Sequence, residues 1–252
     1  MIPLPARVRI AGVSIDTLTE NEVLDRVETF VKSGECRQIV TANPLMIMAA
    51  EKNSALRAAF DEADLVIPDS VGVQWAARLQ GHRLTKISGI DLMDTLCAQA
   101  TERGWRVYFL GAAPGVAETA AEVLTQRHQG LLVAGIQHGY FDRETGEEAV
   151  IQRIADAKPD LLFVALATPF QDGWIHKNID SLGAKVVMGV GGSFDVLSGR
   201  LRRAPPWMRA IGLEWFFRLL QEPRRASRLL QLPLFILKIS TSPGRCISKC
   251  AR

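Results

Sequence analysis

The stretch ADLVIPDSVGVQW, residues 63–75, joins a short apolar run to a carboxylate and a candidate helix start. Leu65–Ile67 is continuously apolar, which is typical of a strand covered on both faces of a parallel sheet. Asp69 follows where this strand ends and a helix begins near Val71. A carboxylate in that place either caps the helix or faces a ligand, because ligands of open α/β sheets bind beyond the carboxyl ends of the strands.

The same strand–helix unit recurs along the chain. We predict strands at Gln38–Thr41, Leu65–Ile67, Val107–Leu110, Leu131–Gly135, Leu161–Leu166 and Val186–Val190. We predict helices near Glu20–Ser33, Pro44–Asn53, Val71–Gln80, Ile90–Arg103, Pro114–His128, Glu144–Ala157 and Gln171–Ser181. This alternation predicts an α/β fold with a Rossmann-like, mostly parallel sheet flanked by helices. Before it, VRIAGVSIDTLT predicts a small hairpin around Gly12.

The sequence changes character after Leu197, where the β-type runs stop and Trp, Phe, Leu and Arg dominate. We predict an α/β domain at residues 1–197 and a basic, amphipathic C-terminal appendage at residues 198–252. The appendage is expected to contain two helices, broken near Glu222–Pro223 because proline interrupts a helix.

Charge divides the chain in nearly the same place. Residues 1–199 hold 18 basic and 25 acidic residues, a net charge of −7, whereas residues 200–252 hold 12 basic and 2 acidic residues, a net charge of +10. A basic tail on an acidic body indicates a polyanionic partner, either nucleic acid or an anionic membrane.

Several classes of protein are disfavoured by composition. No apolar run approaches the ~20 residues that span a bilayer, and the N-terminus lacks the pattern of a signal peptide, so we expect a cytoplasmic chain. Four irregularly spaced cysteines give no disulfide framework. The four histidines lack metal-ligand spacing and no DxD motif occurs, so we expect no metal and no cofactor.

Five polar or glycine-containing turns follow predicted strands and are expected to share one crevice. They are Thr41–Asn43, Asp69, Gly111–Ala113, Thr168–Gln171 and Gly191–Ser193.

Two of these turns are rich in glycine. Gly111 lies in FLGAAPGVAETAAEVL, where exposed amides at a helix start can cradle phosphate, or where the turn is an ordinary strand-to-helix connection. Gly191 and Gly192 let the backbone approach a ligand closely. Asp195 follows them and can accept hydrogen bonds from a ribose or a base, or stabilise a helix N-terminus.

The appendage combines arginines with aromatic and aliphatic residues. Arg218, Arg225 and Arg228 lie at helix-compatible intervals, and arginine binds phosphate bidentately. Basic residues beside Trp, Phe and Leu suit a helix in a membrane interface, although a core helix pair with a solvated basic face stays open. Nucleic acid is less favoured, because the aromatic residues cluster at helical spacing rather than on strand platforms.

With these motifs in view, the chain resembles the WecG/TagA/CpsF family of glycosyltransferases from about residue 8 to residue 238. The matching segments are TANP (41–44), ADLVIPDSVGV (63–73), SGIDL (88–92), FLGAAPGVAE (109–118), GYF (139–141), ATPFQDGW (167–174) and the long block GVGGSFDVLSGRLRRAPPWMRAIGLEWFFRLLQEPRR (189–225).

The resemblance implies an inverting, metal-independent transfer of a sugar from a UDP-sugar donor to a polyprenyl-diphosphate-linked acceptor. It places the enzyme peripherally on the cytoplasmic face of the membrane, in synthesis of a surface polysaccharide, and leaves a homo-oligomer open. Asp69 resembles the family's proposed base, Thr41 and Gln171 resemble its active-site polar residues, and Asn43 is their neighbour. The three appendage arginines resemble those thought to hold the diphosphate.

Two departures from the family pattern are Ser70, where the family often has glycine, and Asp172, where it often has glutamate. Two other functions stay open at this stage. One is a non-catalytic, membrane-associated regulator that binds a sugar nucleotide. The other is a dinucleotide-dependent dehydrogenase, which the absence of GxGxxG disfavours.

Overall fold

The computed structural model describes residues 5–223 and 231–241. A six-stranded, wholly parallel sheet forms the centre, in the order β4–β3–β8–β7–β5–β6. Its strands are β3 (Arg37–Ala42), β4 (Leu65–Pro68), β5 (Arg106–Gly111), β6 (Leu132–Gln137), β7 (Leu161–Ala165) and β8 (Val186–Gly189). The predicted α/β fold with a mostly parallel sheet is therefore confirmed.

Helices connect these strands and cover both faces of the sheet. They are α1 (Glu20–Ser33), α2 (Pro44–Ala49), α3 (Ser54–Glu62), α4 (Val71–Leu79), α5 (Gly89–Arg103), α6 (Val116–Arg127), α7 (Glu147–Ala157), α8 (Phe170–Asn178), α9 (Ser193–Leu197), α10 (Pro206–Ala210), α11 (Glu214–Gln221) and α12 (Gln231–Thr241). One face packs on α1, α5, α6 and α9, with Phe109, Phe163 and Phe194 at its centre. The other face packs on the remaining helices between α2 and α8.

The predicted N-terminal hairpin is present as β1 (Arg7–Ile10) and β2 (Val13–Asp16), which pair antiparallel. It lies against β4, the edge strand of the main sheet. The buried carboxylate of Asp16 accepts a hydrogen bond from the amide of Val66 at 2.7 Å and one from Nε of Arg7 at 2.8 Å. The hairpin thus fixes the strand that ends at Asp69.

Several predicted helix boundaries differ from the structure, including those of the helix predicted from Glu144, which begins at Glu147, and of the helix predicted to reach Ser181, which ends at Asn178. The helix predicted at Pro44–Asn53 stops at Ala49, and a further helix, α3, was missed. Asn53 separates them, because its side-chain oxygen accepts from the amide of Leu56 at 3.0 Å and so starts α3. The helix predicted from Pro114 begins at Val116, since Gly115 at φ +84° forms its N-cap.

The described part of the predicted appendage packs against the α/β unit. Gly212, at φ +77°, lies so close to Val71 that an added Cβ would be 2.5 Å from a Val71 methyl group. Helix α12 lies on α2 and α4 and buries Phe235 and Ile239. Across the described ranges, no helix has the length and apolar character needed to span a bilayer. The domain boundary at residue 197 and the membrane-binding role of the appendage stay predictions.

Gly111 illustrates how closely the strands meet at the carboxyl edge of the sheet. It adopts φ +131°, and a Cβ there would collide with the backbone carbonyl of Ala165 on β7. Because Gly111 has no side chain, β5 can approach β7 this closely.

We expect Gly111→Ala to destabilise the protein by about 2–5 kcal/mol, because backbone strain adds to a collision that only backbone movement relieves. Gly34→Ala is the matched control. Gly34 also has positive φ, at +77°, but an added Cβ meets nothing within 4 Å, so strain alone should cost about 1–2 kcal/mol. Urea unfolding measures both, and equal losses would show that the collision contributes nothing.

Candidate active site

Asp69 lies half-buried at the carboxyl end of β4, the edge of the sheet where the sequence predicts a shared crevice. Its Oδ1 accepts a hydrogen bond of 2.7 Å from the amide of Gly89, the first residue of α5. Ser70, and not Asp69, caps α4, because its hydroxyl accepts from the amide of Val73 at 3.3 Å. The capping alternative for Asp69 is therefore wrong.

Burial raises the pKa of the Asp69 carboxyl from 3.8 to about 7, because desolvation disfavours the charged form. The hydrogen bond from Gly89 and the ammonium group of Lys86 act in the opposite direction. Near neutral pH the protonated and the ionised forms of this carboxyl group are therefore both populated. A pKa close to the working pH suits a group that accepts a proton during a reaction.

Thr41 lies beside Asp69 at the end of β3. A Cβ added to Gly89 would be 3.3 Å from the Thr41 methyl group and 3.9 Å from the Asp69 carboxyl carbon, so both side chains pack against this glycine. The Thr41 hydroxyl donates to the carbonyl of Gly189 at 3.2 Å. A hydroxyl that donates in this way can still accept a hydrogen bond.

Gln171 reaches the same edge from α8. Its Oε1 accepts from the amide of Gly191 at 3.1 Å, and its Nε2 donates to a carboxyl oxygen of Asp172 at 3.3 Å. Both side chains are buried. They lie where Gly189 has no side chain, since a Cβ there would be 2.5 Å from Nε2 of Gln171 and 2.6 Å from Oδ1 of Asp172. The Gln171 side chain therefore fixes the turn at Gly191 through the hydrogen bond to its amide.

Arg218 of α11 lies directly on the backbone of Gly192, so that a Cβ added to this glycine would overlap the guanidinium group. Nε of Arg218 donates to Glu222 at 3.3 Å. Its Nη2 is buried and has no hydrogen-bond acceptor in the part of the chain that the structure describes. An unpaired, buried guanidinium donor beside a glycine turn is suited to an anionic ligand such as a phosphate.

A group of charged residues around Asp69 was missed by the sequence analysis. Nζ of Lys86 lies 3.4 Å from the carboxylate of Glu214 on α11. Arg203 binds Asp91 bidentately at 2.6 and 2.5 Å, and its Nε lies 3.9 Å from Glu214. Asp91 lies in the SGIDL motif and Arg203 lies in the long C-terminal block. Membership in these family motifs was the feature of the sequence that could have pointed to the two residues. These ion pairs connect the C-terminal segment to the surroundings of Asp69.

The other predicted site residues are placed differently. Asn43 caps α2, with its Oδ1 accepting from the amide of Met46 at 3.1 Å. Asp195 lies in the first turn of α9 and faces Nε of Arg200 at 4.0 Å. Arg225 and Arg228 lie outside the described residues. Roles for these four residues in catalysis or binding stay predictions.

Within residues 5–223 and 231–241, no three His, Cys, Asp or Glu side chains come together as a metal site. The metal-independent reaction stays a prediction.

Comparisons with known proteins agree with the motifs. The family model for the glycosyl transferase WecG/TagA/CpsF family matches residues 8–245. A protein of Staphylococcus aureus strain MRSA252, named N-acetylglucosaminyldiphosphoundecaprenol N-acetyl-beta-D-mannosaminyltransferase, is 36% identical over 238 residues, which cover 93% of this chain and 92% of the relative. The proteins of the same name from strains MW2 and NCTC 8325 / PS 47 are each 35% identical over the same shares.

Asp172 gives the site a measurable pH signature. Burial raises the pKa of its carboxyl group to about 7, whereas the unfolded chain releases this proton near pH 4. Between these values the folded state holds the proton more tightly, so the free energy of unfolding falls as pH rises from 4 to 7.

We expect Asp172→Asn to remove up to about 4 kcal/mol of this pH dependence, because the amide stays neutral throughout. Asp156→Asn, on the exposed surface of α7, is the control and should follow the wild type. Urea unfolding at several pH values between 4 and 8 measures the effect. Parallel curves for Asp172→Asn and the wild type would show that this carboxyl group is ionised in the folded protein.

Proposed function

The chain belongs to the glycosyl transferase WecG/TagA/CpsF family, and on that premise we propose that it transfers a sugar from a UDP-sugar to a polyprenyl-diphosphate-linked saccharide in surface polysaccharide synthesis. The names of its relatives make UDP-N-acetylmannosamine the first donor to test and N-acetylglucosaminyldiphosphoundecaprenol the first acceptor. The observation that carries the proposal is the arrangement at one edge of the sheet, where the Asp69 carboxyl lies at the end of β4 and the Arg218 guanidinium lies on Gly192, just after β8.

In this proposal Asp69 is the general base. Its carboxylate removes the proton from the acceptor hydroxyl as that oxygen attacks the anomeric carbon, and the bond to the UDP oxygen breaks on the opposite face of the sugar. One bond forms and one breaks with inversion at the carbon, and the proton passes to Asp69. Thr41 accepts a hydrogen bond from a substrate hydroxyl and thereby orients it.

Arg218 and the Gly191–Gly192 turn hold the diphosphate in this proposal. The leaving UDP gains negative charge as the glycosidic bond breaks, and a guanidinium group already fixed in place stabilises that charge without reorganising. Gln171 keeps the turn in position through its bond to the Gly191 amide. Arg225 and Arg228 are proposed to add to the same positive charge.

We further propose that the protein works at the cytoplasmic face of the membrane, where a polyprenyl-linked acceptor is dissolved. Support comes from Trp207, Ile211 and Trp215, which are 62%, 63% and 45% exposed in the C-terminal segment, and from the positive charge of that segment. Removing everything after Leu197 would not test this role alone, because it would also remove Arg218 from the crevice.

We expect Asp69→Asn to reduce sugar transfer by about 10²–10⁴-fold, because the amide cannot accept the proton. Binding of UDP, measured by calorimetry, should stay within about threefold of the wild type, since Asp69 faces the acceptor.

In the wild type, kcat/KM should rise with pH through about 7, the pKa of Asp69. Asp156→Asn serves as the control for a lost surface carboxylate. A variant at residue 69 that transfers sugar normally, or wild-type binding of UDP-sugars without transfer to any lipid-linked acceptor, would favour the non-catalytic regulator.

We expect Arg218→Gln to weaken UDP binding by about 10- to 100-fold, because a charge-assisted contact to phosphate contributes roughly 1.5–3 kcal/mol. Arg153→Gln, an exposed arginine of α7, removes the same charge far from the crevice and should bind UDP as the wild type does. Competition against a fluorescent UDP analogue gives both affinities. Unchanged binding by Arg218→Gln would remove this arginine from the donor site.

A further inference from the structure

Exposed apolar side chains are unevenly distributed over the molecule. Among the described residues, ten of the thirteen large exposed apolar side chains lie on or directly after α4, α10, α11 and α12. They are Trp75, Leu79, Trp207, Ile211, Trp215, Phe216, Leu220, Leu234, Ile236 and Leu237. Two of them, Trp75 and Leu79, belong to the α/β unit and not to the C-terminal segment. A concentration of this kind marks an interaction surface.

Helix α4 presents these two residues on its outer side. Trp75 and Leu79 are one turn apart, and Arg78 lies beside them, whereas Val73, Ala76 and Ala77 are buried on the inner side. Helix α12 packs alongside, with Phe235 in the same core cluster as the inner side of α4. Helix α12 also carries exposed leucines, Leu234 and Leu237.

A basic concavity adjoins this apolar surface. Its volume is about 650 Å³, and it is lined by Arg78, Arg83, Leu84 and Thr85, with no acidic side chain. The side chain of Gln74 donates to the carbonyl of Leu84 at 3.0 Å and so holds the loop after α4 beside the helix. No ion pair within the described residues occupies either arginine. We call Trp75, Arg78, Leu79, Arg83 and Thr85 the α4 face.

We propose that the α4 face binds the bilayer directly, with Trp75 and Leu79 at the level of the lipid headgroups and the phosphate of an anionic phospholipid between Arg78 and Arg83. The charge argues for this occupant, because two uncompensated arginines beside exposed Trp and Leu match a negatively charged interface. The membrane contact then includes the α/β unit itself. The inference uses the proposed function only for the premise that a lipid-linked acceptor brings the chain to a bilayer.

Co-sedimentation of the full-length chain with vesicles tests the proposed contact of Arg78 and Arg83 with anionic lipid. The vesicles are made of phosphatidylcholine alone or of phosphatidylcholine mixed with phosphatidylglycerol. The double variant Arg78→Gln, Arg83→Gln should bind the phosphatidylglycerol vesicles roughly 20-fold more weakly, because each arginine near an anionic surface contributes about fivefold. The control is Arg106→Gln, which removes an exposed arginine at the start of β5, four strands from β4.

A matched pair of leucines tests the apolar part. Leu79 is 48% exposed on α4, and Leu132 is 50% exposed on β6 at the opposite edge of the sheet. Leu79→Ala should weaken binding to both kinds of vesicle by several-fold, whereas Leu132→Ala should change neither. Wild-type vesicle binding by the arginine variant and by Leu79→Ala, or equal losses in the two controls, would overturn the proposal.

Transfer to a short-chain, water-soluble acceptor separates this inference from the proposed function. The arginine variant should transfer sugar to that acceptor at the wild-type rate. A loss there would overturn the inference, because it would assign Arg78 and Arg83 to substrate binding. A wild-type chain that transfers no sugar contradicts the proposed function alone, because the vesicle measurements do not depend on catalysis.

Discussion

The site depends on close approach between groups at the carboxyl edge of the sheet, which three glycines permit. Gly89 admits Thr41 and Asp69, Gly189 admits the Gln171 amide, and Gly192 admits the Arg218 guanidinium. At Gly189 and Gly192 an added Cβ would lie too close to the side chain that the glycine accommodates. A side chain at either of these two positions would occupy the space that the Gln171 amide or the Arg218 guanidinium now fills.

Electrostatics at this edge follow from the same crowding. Desolvation raises the pKa of Asp69 and of Asp172 to about 7, and a neutral carboxyl group is less costly to bury than a charged one. Nη2 of Arg218, which lies on Gly192, is a buried donor without an acceptor among residues 5–223 and 231–241. A carboxyl group with a pKa near 7 and a buried guanidinium donor would suit the hydroxyl group and the diphosphate of the proposed substrates.

The fold could be predicted from the sequence because its signals are local. Continuous apolar runs and glycine-ended helices gave the parallel sheet, and the strand-end rule placed Thr41, Asp69, Gln171 and Gly191 at one edge. The missed helix α3 depends on a single cap at Asn53, which a helix pattern running up to that residue conceals. The contacts of Lys86 with Glu214 and of Asp91 with Arg203 could not be predicted, because residues more than a hundred positions apart meet only after the C-terminal segment folds back. The role of Gly111 is likewise visible only in the packing of β5 on β7.

The hairpin at β1 and β2 has a consequence for how the protein is handled. Strand β4 is one of the two edge strands of the sheet, and the Asp16 carboxylate accepts a hydrogen bond from the Val66 amide, which would otherwise be open to an incoming chain. Shortened forms that begin beyond Asp16 would expose β4 as an uncovered edge strand, and such strands pair with strands of other molecules and cause aggregation. Purification tags are therefore better attached ahead of an intact hairpin than substituted for it.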